Sequence, residues 1–304
     1  MSNATPRIEI NASDFPALFW ISGRAAMRSQ KTYLWLVRIN LAAMILCAAS
    51  TSVSVAVRDI RVACAILGTC AIAIALIVTV LTKVLECDRV WFGARAVAES
   101  TKTIAWRYMA NAAPYSASLS PQEVDDLFTR EVGSIVHGRA WLSCAIGGVE
   151  AAGPQITNKM REVRAQSLDV RKQLYIEYRI KDQQRWYARE SQRNRRATMV
   201  WWTVIGICQA IAIIAGMLLV RWPDFNVNFA SILSSLATVF LAWLQVKRHQ
   251  ELSHAYGMAT HELSLIIEKA AYVKTDEDLS RFVMDSENAI SREHTAWVAR
   301  RDSV

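Results

Sequence analysis

Few residues in this sequence have a type and spacing suited to chemistry, and none of them forms a complete set. His254 and His261 are seven residues apart and would share one face of a helix, but no carboxylate or cysteine completes a set of metal ligands there. His261-Glu262 is not followed by the second histidine of a metalloprotease motif, and no serine lies in a nucleophile-elbow context. The six cysteines form no close pair that would indicate a disulfide framework or a zinc site. The sequence therefore predicts no enzyme, no bound metal and no cofactor.

Polar residues of a milder kind lie inside uncharged segments. Ser231, Ser234, Ser235 and Thr238 would line one side of a helix, and Gln209 lies in the preceding uncharged segment. Small side chains and hydroxyls let helices pack closely in a membrane, so helix packing is the simpler interpretation. The alternative is that the stripe faces the lumen of an oligomeric pore. We therefore treat these five residues as candidate lumen or helix-interface residues.

These residues belong to the second of two pairs of long uncharged segments. Residues 197–220 and 225–246 contain no charged residue and are separated only by Arg221-Trp222-Pro223-Asp224. A helix needs about 20 mostly apolar residues to cross a bilayer, and a turn with Pro and Asp separates two helices. Residues 39–57 and 62–82 form the earlier pair. The sequence thus predicts four membrane spans in two hairpins, rather than helices buried in a large soluble core.

The distribution of Lys and Arg predicts the orientation of the hairpins. The formal net charge is +8, and the basic residues cluster at the outer ends of the hairpins, whereas the turns hold only Arg58, Arg61 and Arg221. Segments rich in Lys and Arg stay in the cytoplasm, so we expect both termini and the middle of the chain to be cytoplasmic, in the cell inner membrane. This bias explains the positive charge without a nucleic-acid partner. No span has an ionisable residue near its centre, which argues against a proton-coupled transporter.

The segments outside the hairpins are predicted to be helical. Residues 14–31 have the pattern of an amphipathic helix at the membrane surface, although an ordinary cytoplasmic helix has the same pattern. The second span is predicted to continue as a helix to Asn111. Ser120 and Glu123 form a capping box for a further helix that closes at Trp141.

A long charged helix is predicted over residues 166–196, before the second hairpin. It carries an aromatic stripe formed by Leu168, Tyr175, Tyr178 and Trp186. Such a stripe packs on neighbouring helices in our interpretation, and a base-stacking surface is the alternative. After the second hairpin, Thr275 and the acidic residues that follow it predict another capping box and a final helix to the end of the chain.

The predicted fold class is an all-α membrane protein with two tandem transmembrane helical hairpins and long cytoplasmic helical extensions. The predicted segments are an N-terminal amphipathic or cytoplasmic helix (1–33), the first hairpin (34–83), cytoplasmic helices (84–141), a linker (142–165), a cytoplasmic helix leading into the second hairpin (166–198), the second hairpin (199–246) and C-terminal cytoplasmic helices (247–304).

The two halves of the chain are related by an internal repeat. Lys83 and Lys247 each follow a second span directly, and Glu131 and Glu287 each precede an Ala-Trp pair at the same spacing. Both hairpins would point the same way, so the repeat is parallel rather than inverted. Parallel repeats are a minority design among alternating-access transporters.

Two groups of residues in the second half carry a resemblance to a known family. Tyr175-Ile176-Glu177-Tyr178-Arg179-Ile180, Asp182-Gln183 and Trp186-Tyr187 precede the second hairpin, and Glu287, Glu293-His294 and Trp297 lie in the last helix. With these motifs the chain resembles the SLATT family, a two-transmembrane effector domain found beside nucleotide-sensing modules in prokaryotic conflict systems. The first half resembles a more diverged copy. The candidate cytoplasmic contact residues are Tyr178, Arg179, Asp182, Trp186, Glu287, Glu293, His294 and Trp297.

The resemblance implies a membrane effector that forms pores when infection is signalled. Four spans are too few to enclose a wide channel, so we expect a homo-oligomer, most simply a cyclic ring. The expected partners are the lipid bilayer, further copies of the chain and a separate nucleotide-sensing or nucleotide-synthesising protein. The rival hypothesis is a non-conducting membrane scaffold that recruits a cytoplasmic partner through its helices. A third hypothesis, nucleic-acid binding by residues 166–196, predicts salt-sensitive binding.

Overall fold

The computed structural model describes residues 8–56, 58–147, 153–222 and 228–302, and the side chains of these residues apart from 54–58 and 292–302. Within those ranges the chain is helical and has no β-strand. The predicted turn residues Pro223 and Asp224 and the side chains of Glu293, His294 and Trp297 lie outside the described part. The helices are α1 (Ala17–Ala56), α2 (Arg61–Leu85), α3 (Cys87–Met109), α4 (Pro121–His137), α5 (Ser143–Ile146), α6 (Asn158–Arg164), α7 (Leu168–Tyr175), a π-helix (Ile176–Lys181), α8 (Asp182–Arg221), α9 (Phe229–Lys247), α10 (His249–Lys269) and α11 (Asp276–Asp302).

Four of these helices are long and apolar enough to cross a membrane, which confirms the four predicted spans. In the most apolar stretch of each, no more than 17% of the residues are buried. Contiguous apolar surface of this extent is not left open to water. The chain is therefore an all-α membrane protein whose outward-facing span residues are suited to lipid.

The N-terminal segment differs from its prediction as a separate helix at the membrane surface. It belongs to α1, which runs without interruption from Ala17 to Ala56. Phe15, Leu18 and Ile21 are buried within the protein. An apolar stripe on a helix has the same pattern whether it meets lipid or other helices, which is why the sequence favoured the wrong surroundings.

The continuation of the second span has a break that the sequence did not predict. Helix α2 ends at Leu85, Glu86 adopts a left-handed conformation with φ 42°, and α3 begins at Cys87. The second hairpin ends in the same way, because Arg248 has φ 49° between α9 and α10. A left-handed residue ends one helix and redirects the next. Each repeat therefore has a left-handed residue directly after its second span.

The helix after the first hairpin begins as predicted and ends earlier. The Ser120 hydroxyl accepts a hydrogen bond from the Glu123 amide at 3.3 Å, and the Glu123 carboxylate accepts one from the Ser120 amide at 2.8 Å. Pro121 occupies the first turn. Helix α4 ends at His137 rather than at Trp141, which lies in a separate short 3-10 helix. The predicted linker is also partly structured, because it contains α5 and α6.

Contacts divide the chain into two compact units that both draw on the two repeats. The spanning unit comprises Gln30–Cys87 and Glu190–His254. Within it, α2 packs on α1 near Gly68, where a Cβ would lie at an ordinary contact distance of 3.6 Å from the Cβ of Ser50. The second hairpin packs through Ile205 of α8 and Ala237 and Leu244 of α9. These small and apolar contacts are typical of helix packing in membranes.

The polar unit comprises Met1–Ser29, Asp88–Arg189 and Ala255–Val304. Three separate segments of chain therefore build one core, and each pair of consecutive segments is separated by a hairpin. The buried core residues include Trp106, Phe128, Met160, Tyr175, Tyr187, Leu279 and Val283. Thr275 and Asp278 form the predicted capping box at the start of α11, with hydrogen bonds of 3.1 Å in both directions.

Candidate functional site

A buried ion pair joins α11 to the π-helix at the centre of the polar unit. The Nε of Arg179 donates to Oε1 of Glu287 at 2.9 Å, and its Nη2 donates to Oε2 at 2.7 Å. The hydroxyl of Tyr175 donates to Oε1 at 3.0 Å, and that of Thr103 donates to Oε2 at 2.8 Å. The Glu287 carboxylate thus accepts four hydrogen bonds, two of them in the fork geometry that makes Arg–carboxylate pairs strong. We call these four residues the Arg179–Glu287 network.

The network is withdrawn from solvent. Arg179 is 1% exposed and Glu287 is 0% exposed. Burial alone would lower the pKa of Arg179, but the charge of Glu287 and its hydrogen bonds to Arg179 more than offset this, so the pKa lies above its ordinary value. Nη1 of Arg179 is buried without a hydrogen-bond partner in the described part of the chain. An arginine held this way stays charged and depends on Glu287 as its counterion.

The local backbone explains how an arginine reaches this position. Residues Ile176–Lys181 form a π-helix between α7 and α8. A π turn holds one extra residue within a helix and occurs frequently at functional sites. Here Tyr175, Arg179 and Ile180 become buried together. The sequence named Arg179 and Glu287 as contact residues, and the structure brings these two into direct contact.

The other candidates in this segment lie in different surroundings. Trp186 packs edge-on against Tyr256 with ring centroids 5.2 Å apart, and Arg95 lies 5.9 Å above its ring. Tyr178 is half-buried and Asp182 is exposed, and both line a cavity beside the network. The buried aromatic face shares only Tyr175 with the predicted stripe, because the π turn that follows Tyr175 shifts the helical register. It consists of Tyr175 and Tyr187, neither of which could stack on a base.

A second set of tyrosine–carboxylate pairs lies in the first repeat. Tyr115 donates its hydroxyl to Glu131, and Tyr108 donates to Asp125 at 2.7 Å. Burial, followed by the hydrogen bond to Asp125, raises the pKa of Tyr108 to about 12. Glu131 is the residue that the repeat aligns with Glu287. Both copies therefore direct a tyrosine hydroxyl at this glutamate, but only the second copy adds a buried arginine.

Thr103 was missed by the sequence reasoning, although it is one of the four residues in the network. It lies on α3 in the first repeat and is buried. The signal was weak, because a β-branched residue within a helix marks only a packed position.

The candidate residues of the spans are distributed along α8 and α9. Ser231, Ser234 and Thr238 are exposed in the single chain, Ser235 is half-buried, and Gln209 of α8 is exposed. The hydroxyl of Thr238 donates to the carbonyl of Ser234 at 3.0 Å, and that of Ser235 donates to the carbonyl of Ser231 at 2.9 Å. The stripe therefore lies away from the face of α9 that packs on α8.

Four spanning helices together with a compact polar helical unit define a multi-pass membrane protein. A family described as SMODS and SLOG-associating 2TM effector domain 3 matches residues 16–172, and one described as SMODS and SLOG-associating 2TM effector domain 1 matches residues 175–297. The chain therefore belongs to the SLATT family of two-transmembrane effector domains and carries two of them in tandem. No curated protein and no solved structure matches the chain.

The matched ranges give the Arg179–Glu287 network a clear place in the molecule. Thr103 belongs to the first domain, whereas Arg179 and Glu287 belong to the second. A carboxylate of the second domain thus accepts hydrogen bonds from both domains. Among the described residues, no group of three or more His, Cys, Asp or Glu could hold a metal ion. The arrangement is suited to holding helices of the two domains together.

Proposed function

We propose that this protein is the membrane effector of a prokaryotic conflict system, which assembles into a homo-oligomer and permeabilises the inner membrane on a cytoplasmic signal. One observation carries the proposal. Ser231, Ser234 and Thr238 form a small, hydroxyl-bearing stripe on α9 that remains exposed in the single chain. Lipid gains nothing from such a stripe, whereas a neighbouring helix or a water-filled lumen does.

The chemistry of this stripe fits either a water-filled lumen or a contact with a helix of another copy. The hydroxyls of Ser235 and Thr238 already donate to carbonyls of their own helix, so they need no partner from another chain. Their oxygen atoms still can accept hydrogen bonds from water or from a second helix. The opposite face of α9 packs on Ile205 of α8. One face of α9 is thus fixed within the chain, and the other is available for assembly.

The charge distribution supports an orientation in which the polar unit lies in the cytoplasm with both termini. Lys and Arg are abundant at the outer ends of the hairpins and scarce in their turns. The polar unit would then receive the signal. In this proposal a separate nucleotide-sensing or nucleotide-synthesising protein supplies that signal.

Leakage experiments with matched variants test the proposal. The double variant Ser234→Leu with Thr238→Leu should remove growth arrest and dye uptake on overexpression in cells, and dye release from vesicles that contain purified protein. The control is Thr69→Leu with Thr79→Leu, since these threonines of α2 are also exposed and also donate to a carbonyl four residues earlier. Pore formation is refuted if wild-type protein never leaks, or if both double variants have the same effect.

The scaffold hypothesis remains as a second candidate because of a different surface. Met258, Leu265 and Tyr272 are 75%, 69% and 79% exposed and recur every seven residues along α10 and its end. Apolar residues at this spacing form one face that suits a partner helix. A scaffold would still arrest growth when Ser234 and Thr238 are replaced, and would not release dye.

A further inference from the structure

Two basic residues that are far apart in the sequence meet on one tryptophan ring in the spanning unit. Arg38 directly precedes the uncharged residues 39–57, and Lys247 directly follows the uncharged residues 225–246. The Cζ of Arg38 lies 5.3 Å from the centroid of the Trp243 ring, and the Nζ of Lys247 lies 5.7 Å from the ring. The start of the first span is therefore next to the end of the fourth, at the depth where tryptophan and basic residues meet lipid headgroups.

The cluster holds positive charge that no carboxylate neutralises. Arg38 and Lys247 form no ion pair in the described part of the chain. The charges of Arg38 and Arg193 both act on Lys247, and both are positive. Arg193 has its own carboxylate partner, because it pairs with Glu190 at 2.6 Å. Lys247 is half-buried, and like charges repel more strongly where water is scarce. An anionic group between Arg38 and Lys247 would relieve this repulsion.

The surroundings of the cluster suit a ligand with acyl chains. Ile39 follows Arg38 on α1 and is 41% exposed, and the ring of Trp35, which is 53% exposed, lies 5.7 Å from the Cζ of Arg38. These exposed apolar side chains can contact acyl chains while the two cations contact a headgroup. Arginine donates paired hydrogen bonds to phosphate oxygens, and lysine supplies a compact charge. Basic pockets between spanning helices bind anionic lipid headgroups in this way.

We infer that Arg38, Trp243 and Lys247 form a binding site for the phosphate of an anionic phospholipid, whose acyl chains lie against the start of the first span. The inference concerns lipid binding alone and does not depend on whether the protein conducts. Arg38 belongs to the first SLATT domain, and the other two residues belong to the second. A bound lipid would therefore hold the two domains together at the membrane surface.

Native mass spectrometry of the full chain, released from detergent micelles, counts the lipids that stay bound. Phosphatidylglycerol should be retained saturably, with one molecule per chain. Phosphatidylcholine with the same acyl chains should bind at least about tenfold more weakly, because its headgroup brings a further positive charge to the cluster. Soluble glycerol 3-phosphate distinguishes a lipid site from a site for free phosphate, and it should bind more weakly still. Equal affinity for phosphatidylcholine or for glycerol 3-phosphate, or no saturable retention of phosphatidylglycerol, would overturn the inference.

Two double variants with the same loss of charge locate the site. Arg38→Gln with Lys247→Gln should weaken retention of phosphatidylglycerol at least about tenfold, since each basic residue near a membrane surface contributes a factor of about five. The matched control is Lys83→Gln with Arg195→Gln. Lys83 also follows a second span directly, both residues are exposed, and neither is among the charges that act on Lys247. Retention should therefore change less than about twofold in the control. Equal weakening by the two double variants would indicate general attraction to a basic surface and would refute the site.

Single variants keep the test decisive where the double variant fails to fold. Arg38 is exposed, so Arg38→Gln should fold and should weaken binding about fivefold. Lys247→Arg keeps the charge and should bind within about twofold of the wild type, whereas Lys247→Gln should weaken binding about fivefold. Unchanged binding by Arg38→Gln, or equal binding by the two Lys247 variants, contradicts the inference.

Discussion

Replacing Glu287 by glutamine is the most informative perturbation of the polar unit. The two side chains have nearly the same volume, so the change removes a charge without creating a cavity. Arg179 then keeps its positive charge while 1% exposed, and loses the carboxylate with which it forms an ion pair in the network. Removing one partner of a buried ion pair costs about 3–5 kcal/mol. Since each ~1.4 kcal/mol is a factor of ten in an opening equilibrium, local opening should become roughly a hundred- to several-thousand-fold more frequent.

Amide hydrogen exchange followed by mass spectrometry measures this opening directly. Peptides from the first half of α11 and from α7 should exchange faster by about the factor given above, because exchange from a native protein reports local opening. Helix α9 in the spanning unit should exchange as in the wild type. The matched control is Glu177→Gln, because Glu177 lies on the same π-helix as Arg179. Glu177 pairs with Lys181 and Arg185, but its side chain is 45% exposed, so its loss should cost less than about 1 kcal/mol.

A double variant separates charge pairing from packing. Arg179→Met combined with Glu287→Gln leaves no buried charge in the network, so it should be less destabilised than the sum of the single variants by about 2 kcal/mol or more. The reasoning is refuted if Glu287→Gln exchanges like the wild type, if Glu177→Gln is equally damaging, or if the two changes in the network simply add.

Two further predictions concern packing and pH. A Cβ at Gly93 would lie 2.6 Å from the ring of Trp141, so Gly93→Ala should destabilise the polar unit by about 1–3 kcal/mol. A Cβ at Gly133 would meet nothing within 4 Å, so Gly133→Ala should stabilise the polar unit by about 0.5–1 kcal/mol. The melting temperature should therefore fall for Gly93→Ala and rise for Gly133→Ala, and a change of the same sign in both would contradict the prediction. The raised pKa of Tyr108, about 12, adds stability below pH ~10 that is lost as the pH rises through 12. Between pH 9 and 12 the melting temperature of Tyr108→Phe should therefore decrease less than that of the wild type. Tyr272→Phe changes a residue that is 79% exposed, so its melting temperature should follow that of the wild type.

The parts of the fold that were predictable depend on local patterns. Uncharged segments of about 20 residues marked the four spans. The capping boxes at Ser120 and Thr275 marked two helix starts, because the partners in a cap are only three residues apart. The buried positions of α11 between Leu279 and Ile290 also recur at helical spacing.

The parts that were missed depend on contacts between distant residues. Arg179 and Glu287 were both named, but residues 108 positions apart carry no local sign that they meet. The π-helix is a costly backbone conformation that the surrounding packing imposes, so helical periodicity placed Tyr178 rather than Tyr187 on the buried face. The helix breaks at Glu86 and Arg248 were missed because left-handed residues are expected to be glycine or asparagine.

The polar unit is built from three separate chain segments, and this places a strict condition on membrane topology. Its three segments, Met1–Ser29, Asp88–Arg189 and Ala255–Val304, are separated by the two hairpins. They can form one core only if they lie on the same side of the membrane, so each hairpin must cross an even number of times. This condition follows from the contacts within the unit and does not depend on the charge distribution.

Labelling of single cysteines in intact spheroplasts with a membrane-impermeant thiol reagent tests this topology most directly. One variant keeps only Cys144, which is exposed in the polar unit, and the other carries Asp59→Cys in the turn of the first hairpin without other cysteines. Two hairpins with a cytoplasmic polar unit predict that the cysteine at position 59 reacts from outside, and that Cys144 reacts only after lysis. Reaction of Cys144 in intact spheroplasts, or protection of position 59, would contradict the account.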